Sequence, residues 1–164
     1  MPYTPILATL GYVFSQDGTR VLMVHRTARG AADPHNGKFN GLGGKVERDE
    51  DVAACMRREI LEEAGIVCET LQLAGTISWP GFGMNGEDWF GFIFRIFAWS
   101  GTPHRENNEG PLEWVPVDRV FDLPLWAGDK HFLPLVLDFD ERPFHGVMPY
   151  EDGVPKDWRF SFLE

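Results

Sequence analysis

The stretch GGKVERDEDVAACMRREILEEAG, residues 43–65, sets concentrated charge beside a glycine pair. It contains three closely spaced glutamates, Glu59, Glu62 and Glu63. A helix advances by about 100° per residue, so with Glu59 as origin Glu62 lies at roughly −60° and Glu63 at roughly +40°. All three carboxylates then share one face. Left alone they repel, raising one another's pKa or weakening the helix. A hard divalent cation, Mg²⁺ or Mn²⁺, removes the conflict because it takes oxygen ligands. For REILEE by itself, an ordinary solvated acidic face is the alternative. Ala53, Ile60, Leu61 and Ala64 cluster on the other side and are expected to face a core. Arg57 falls there too, its stem packed and its head escaping. Arg58 precedes Glu62 by one turn, the spacing of an (i, i+4) ion pair.

The spacing around this helix decides between the readings. Gly44 is followed after five residues by Glu50, and after seven more by Arg58-Glu59-Ile60-Leu61-Glu62-Glu63-Ala64-Gly65-Ile66. That is the whole 23-residue Nudix signature, Gly-x5-Glu-x7-Arg-Glu-U-x-Glu-Glu-x-Gly-U with U a bulky aliphatic residue, and no position departs from it. Such a match is far more specific than a lone glycine motif. The chain resembles the Nudix hydrolases. The resemblance implies an α/β/α sandwich with a mixed central sheet, an α+β or mixed α/β fold. It also implies hydrolysis of a nucleoside diphosphate linked to another group, with Mg²⁺ or Mn²⁺ and an activated water. Carried onto this chain, Glu59 and Glu63 become metal ligands, and Glu62 a ligand or a nearby base. Arg58 orients the carboxylates, the Gly43 or Gly44 carbonyl adds a backbone ligand, and Glu50 is structural or stands behind the ligands. Family members differ in which glutamate deprotonates water, so that role stays open.

Outside the signature, the chain is similar over nearly its whole length to MutT-type 8-oxo-dGTP diphosphatases. GKFNGLGGKVE places Asn40 where that group has a base-contacting asparagine, with Phe39 beside it as pocket wall or core. GTPHRENNEGPLEWVPVDRV places Glu109 where the group has a further metal-binding or catalytic glutamate. LPLWAGDKHFLPLVL brings Trp126 and Asp129 to the purine. One departure stands out: the vertebrate members have two adjacent acids after Trp-Pro, whereas here Trp126-Ala127-Gly128-Asp129 keeps one. A carboxyl can read purine-edge donors and acceptors, and an indole face can stack. Asp129 is also placed to N-cap a helix. Lys45, next to the glycines, is a candidate phosphate contact. The implied reaction takes a nucleoside triphosphate, with 8-oxo-dGTP foremost, to the monophosphate and pyrophosphate. Its rivals are a Nudix enzyme for an ordinary dNTP or NTP, ADP-ribose or a 5′-triphosphate RNA end, and a nucleotide-binding module that does not cleave.

The remaining residues must position this set. The 164 residues favour one domain, 1–164, with a substantial core. Forty-three per cent are hydrophobic and 13% aromatic, which excludes a disordered chain. Fifteen basic against 25 acidic residues give −10, the wrong sign for stable nucleic-acid binding. A small phosphorylated ligand still fits through a bridging cation. No apolar run spans a membrane and the N-terminus lacks a signal pattern, so a cytoplasmic monomer or homodimer is expected. Cys55 and Cys68 read as small buried hydrophobes. The five histidines show no metal spacing and read as structural or solvated.

TPILATLGYVFS and RVLMVHR form a hairpin turned by Asp17-Gly18. Residues 27–38 form a loop of the long kind that often carries function. A helix runs from about Asp49 to Ala64, closed by Gly65. IVCETLQLAGTISW and DWFGFIFRIFAW are strands joined by PGFGMNGE, the second an alternating core strand. LEWVPV is a short strand. DKHFLPLVLDF is a second helix bent or limited by Pro134, and a closing hairpin turns at EDGVPK.

Overall fold

The protein is described here over residues 1–163 of a computed structural model. β1 (Ile6–Phe14) and β2 (Arg20–His25) form the first hairpin, with Gly18 in the left-handed region at φ 72°. Two short strands follow, β3 (Phe39–Asn40) and β4 (Leu42–Lys45). β4 lies antiparallel to β1 and leads into α1 (Val52–Ala64). α1 begins three residues later than the acidic run suggests. Asp51 is its cap, its side chain accepting the Ala54 amide at 2.8 Å, while Asp49 and Glu50 stay in the preceding turn. Gly65 closes the helix at φ 72°, as its sequence position implies.

Two long strands, β5 (Val67–Trp79) and β6 (Trp89–Ser100), carry the middle of the sheet. β7 (Glu106–Asn107) and β8 (Gly110–Pro116) lead through a 3₁₀ turn to α2 (Asp129–Leu137). β9 (Phe144–Val147), the β10–β11 hairpin (Tyr150–Glu151 and Val154–Pro155) and β12 (Arg159–Phe162) finish the chain. The hairpin turns at Asp152-Gly153, both at positive φ, where EDGVPK places it.

The sheet order is β12-β9-β5-β6-β1-β2-β8-β7. β1–β6 and β5–β9 are parallel and the other pairs antiparallel, so the sheet is mixed as expected. A separate apolar cluster fills each side of it. One holds Met56, Ile60 and Ala64 of α1 against Val13, Leu22 and Ile96; the other holds Phe132, Leu133 and Val136 of α2 against Tyr12, Phe14 and Ile93. The helix-sheet-helix sandwich follows from these two faces. Among the described residues, no helix is long and apolar enough to cross a membrane.

Three details differ from the sequence reading. The buried face of α1 is Cys55, Met56, Ile60 and Ala64, while Leu61 and Arg57 lie beyond that arc and are exposed. β6 is not a plain alternation: its middle, Ile93–Ile96, is buried on both faces, and its first residue, Trp89, faces a cavity. Within that run Arg95 is 1% exposed. It donates to the Val136 carbonyl (2.6 Å) and the Leu135 carbonyl (2.7 Å) at the end of α2. A charged donor suits the negative end of a helix and its unpaired carbonyls. Removing it strands both acceptors, at about 1–3 kcal/mol for each. Arg95→Met is expected to lower the free energy of unfolding by roughly 2–4 kcal/mol in urea, with kcat at low temperature nearly unchanged.

Candidate active site

The Gly41–Lys45 segment presses closely against its neighbours. A Cβ on Gly43 would collide with the Thr9 carbonyl of β1, and one on Gly44 would lie 2.5 Å from the Glu59 carboxylate. Only glycine lets this strand touch both β1 and the acidic face of α1. The Gly43 amide donates to Glu63 (3.1 Å), and the Gly44 carbonyl is turned toward the Thr9 hydroxyl (3.5 Å).

Arg58 is the hub of the acidic face. Its guanidinium bonds Glu50 at 2.6 and 3.0 Å, Glu59 at 2.8 Å and the Lys45 carbonyl at 3.2 Å. The expected Glu62 pair exists, but at 3.4 Å, with Glu62 59% exposed. The hydrogen bonds from Arg58 and from the Glu47 amide hold the Glu50 carboxyl down at about 2. Glu50 is thus the partner that holds Arg58 in place.

Glu63 is in the opposite state. Burial, then the nearby Glu109 and Glu59 carboxylates, push its carboxyl up to about 8. Glu59, Glu62, Glu63 and Glu109 line one cavity of about 380 Å³ with Arg29 and His104. Among the described residues, no three acidic, histidine or cysteine side chains form a ready-made metal cage. The residues nevertheless suit a hard cation. A carboxyl whose pKa is raised by burial and then by neighbouring carboxylates is one that a bound divalent ion would ionise.

A second cavity, of about 280 Å³, also reaches Glu63 and Glu109. Gly43 and Gly44 line it near these carboxylates, and so do Asn40, Trp126, Asp129, Trp79, Phe82, Trp89 and Tyr150. Trp126 stacks on His35 at 3.6 Å and 9°. Phe82 lies 6.1 Å from Trp126 and 5.1 Å from Tyr150. Among the described residues, Asn40 Oδ1, Trp89 Nε1 and Trp126 Nε1 are buried without hydrogen-bond partners. Buried groups of this kind are candidates for ligand contact. Asp129 is 8% exposed, and burial lifts its carboxyl to about 7 against the pull of Lys38. It does not cap α2; Gly128 holds that position and Asp129 is the first helical residue.

The structure brings Asn40, Trp126 and Asp129, read as base contacts, to one cavity with Glu63 and Glu109, read as metal ligands. Of the two alternatives for Phe39, pocket wall or core, the structure gives the core and not the substrate pocket: it is 7% exposed, stacked on His25 at 4.1 Å and part of the core cluster. Neighbouring strand residues point to opposite faces, so Asn40 at the cavity puts Phe39 away from it. The Lys45 ammonium lies over the Trp89 ring, 5.4 Å from its centroid. Arg26 went unread. It pairs with Asp33 at 3.0 Å, lies 3.8 Å from Glu109 and sits over Trp126 in the wall of the second cavity. Its position at the end of β2 carries no sequence signal. For Trp79, Phe82 and Trp89, the glycine-rich segment between β5 and β6 was the available cue.

The fold and this acidic helix define a hydrolase class, and the comparisons agree. The NUDIX domain profile matches residues 4–136, and the chain belongs to the Nudix family. The oxidized purine nucleoside triphosphate hydrolase of Danio rerio is 35% identical over 149 residues, covering 91% of this chain and 89% of that protein. The Mus musculus protein of the same name is 34% identical over 116 residues, covering 71% and 72%. The crystal structure of a MutT protein from Bacillus halodurans superposes with a TM-score of 0.80 at 29% identity, covering 94% of this chain and 97% of that one.

Asp129 ties the pocket to stability. The unfolded chain releases this proton near 3.8, the folded protein near 7. Between these values the folded state binds more protons, so stability falls as pH rises, by up to the order of 4 kcal/mol above pH 7. Asp129→Asn removes that slope. In urea unfolding without ligand, its advantage over wild type is expected to grow by roughly 2–3 kcal/mol between pH 5 and 8.5.

Proposed function

We propose that this protein is a Mg²⁺-dependent (or Mn²⁺-dependent) pyrophosphohydrolase of oxidised purine nucleoside triphosphates, with 8-oxo-dGTP its best substrate. One observation carries the reading: an acidic cavity and an aromatic, base-sized cavity share Glu63 and Glu109 as common wall. A nucleotide laid across both puts its phosphates at the carboxylates and its base against Trp126.

Glu59, Glu63 and Glu109 would hold the cation, with Glu62 at the rim and the Gly43 carbonyl beside them. The Gly44 carbonyl, 3.5 Å from the Thr9 hydroxyl, is the alternative backbone ligand. When bound, the ion neutralises phosphate oxygens and makes a nucleophile of water. The chain supplies the rest. Arg58, fixed by Glu50, keeps Glu59 in place, and the Gly43 amide keeps Glu63 in place. Glu63 and Glu109 are the groups from which a base for the attacking water would come. Attack by that water breaks a phosphoanhydride bond and releases pyrophosphate and a nucleoside monophosphate. Trp126, backed by His35, offers a stacking face. Asn40 Oδ1 accepts from the purine edge, while Asp129, protonated near neutrality, can donate. The names of the zebrafish and mouse relatives support the same substrate class.

The test is pyrophosphate release with Mg²⁺ from 8-oxo-dGTP, 8-oxo-GTP, dGTP and dATP, with AMP scored for ADP-ribose. A kcat/KM for 8-oxo-dGTP at least 10-fold above that for dGTP is expected, about 1.4 kcal/mol in the transition state. Flat activity across the triphosphates would remove base reading from Asn40, Trp126 and Asp129. ADP-ribose as best substrate would overturn the triphosphate assignment.

A further inference from the structure

The loop between β2 and β3 touches the base cavity through one tryptophan. Trp126 lies in an irregular segment before α2, and its indole nitrogen is buried with no hydrogen-bond partner among the described residues. Packing alone therefore sets the plane of its ring. His35 of the loop stacks on it at 3.6 Å and 9°, and the Arg26 guanidinium lies 5.8 Å from its centroid. Phe82 stands further off, at 6.1 Å. Trp126 and Arg26 line the base cavity, while His35 and Trp126 together line the space adjoining it.

Both loop contacts lead back to one side chain, Asp33. Its Oδ1 accepts from the His35 amide at 3.0 Å, and its Oδ2 accepts from Arg26 Nε at 3.2 Å and Nη2 at 3.0 Å. The Arg26 and Asp33 side chains are only 12% and 9% exposed, so salt screens this pair less than a surface one. The His35 amide, and after it Arg26, hold the Asp33 carboxyl below the usual carboxylate range, which keeps it charged at neutral pH. No hydrogen bond reaches His35 Nδ1, so the imidazole is placed by its backbone and by the stack. That backbone is closed around the carboxylate: the Asn36 amide donates to the Asp33 carbonyl and the Lys38 amide to the His35 carbonyl, each at 3.0 Å.

We propose that Asp33 is a positioning residue for base recognition: its two carboxylate oxygens clamp His35 and Arg26 against Trp126, so that the indole meets the purine in one fixed plane. Stacking needs the two planes aligned, and an indole free to turn about its side-chain bonds would have to be ordered by the substrate itself. The clamp supplies that order before the substrate arrives. This role rests on the reading of Trp126 as the base-stacking face, and it gives the long loop after β2 its function.

The test compares wild type with Asp33→Ala, His35→Ala, Trp126→Ala and the variant carrying both Asp33→Ala and Trp126→Ala. kcat and KM are measured on 8-oxo-dGTP with Mg²⁺, and Tm reports the fold. The proteins are also labelled with 5-fluorotryptophan, and the fluorine resonance lost in Trp126→Ala identifies Trp126 without substrate. Asp33→Ala and His35→Ala are each expected to shift or broaden that resonance. Their KM should rise about 5-fold or more, the low end of what a lost base–aromatic stack costs, with kcat changed by less than about 2-fold. On the Trp126→Ala background, Asp33→Ala should leave KM unaltered. Should Asp33→Ala fail to fold, His35→Ala, which spares the Arg26–Asp33 pair, still reads both the resonance and KM. A resonance unmoved by either variant overturns the clamp. So does a loss confined to kcat, or a KM effect that persists without Trp126, because Arg26 released from Asp33 would then be acting on Glu109, 3.8 Å away. A resonance that moves while KM stays constant in every variant, Trp126→Ala included, would sink the base-stacking assignment and leave the clamp standing.

Discussion

Carboxylates crowded into a half-buried corner repel, and the whole site is arranged around that constraint. Arg58 neutralises part of the cluster by holding Glu50 and Glu59 at 2.6 and 2.8 Å. It also bonds the Lys45 carbonyl, so the cation that balances charge ties the glycine strand to the helix. Glu63, out of its reach, is left near Glu109 and Glu59 with a raised pKa. The corner is thus partly balanced by the chain and partly left for a bound cation to balance.

The sheet converts this corner into an enzyme site. β1 lies parallel to β6 and antiparallel to β4, so the glycine strand and the start of β6 flank the same strand. That brings Gly43 and Gly44 to one cavity with Trp89, and β10 adds Tyr150 from the other end of the chain. The loop after β2 contributes Arg26 and, behind Trp126, His35. The acidic and the aromatic cavity are therefore built on different elements that meet at Glu63 and Glu109.

Legibility of the sequence followed from locality. The acidic helix, Gly65 and the two Asp-Gly turns were readable because each depends on residues a few positions apart. The sandwich and the Nudix family were readable from one fixed spacing. Phe39 was left open between pocket wall and core, although strand alternation beside Asn40 could have placed it in the core. Leu61 was misjudged because the buried arc of α1 is narrower than the apolar residues suggest. Arg26 and Tyr150 were silent because only tertiary contact gives them neighbours. Arg95 drew no reading within the alternating core strand, because its two carbonyl partners lie about 40 residues away.

The most direct measurement is pyrophosphate release from 8-oxo-dGTP at saturating Mg²⁺ by wild type and by Glu63→Gln, with circular dichroism to show that both are folded. If Glu63 belongs to the metal-binding and water-activating set, the variant should keep its fold and lose at least about 10³-fold in kcat. Near-wild-type turnover by a folded Glu63→Gln protein would contradict the account.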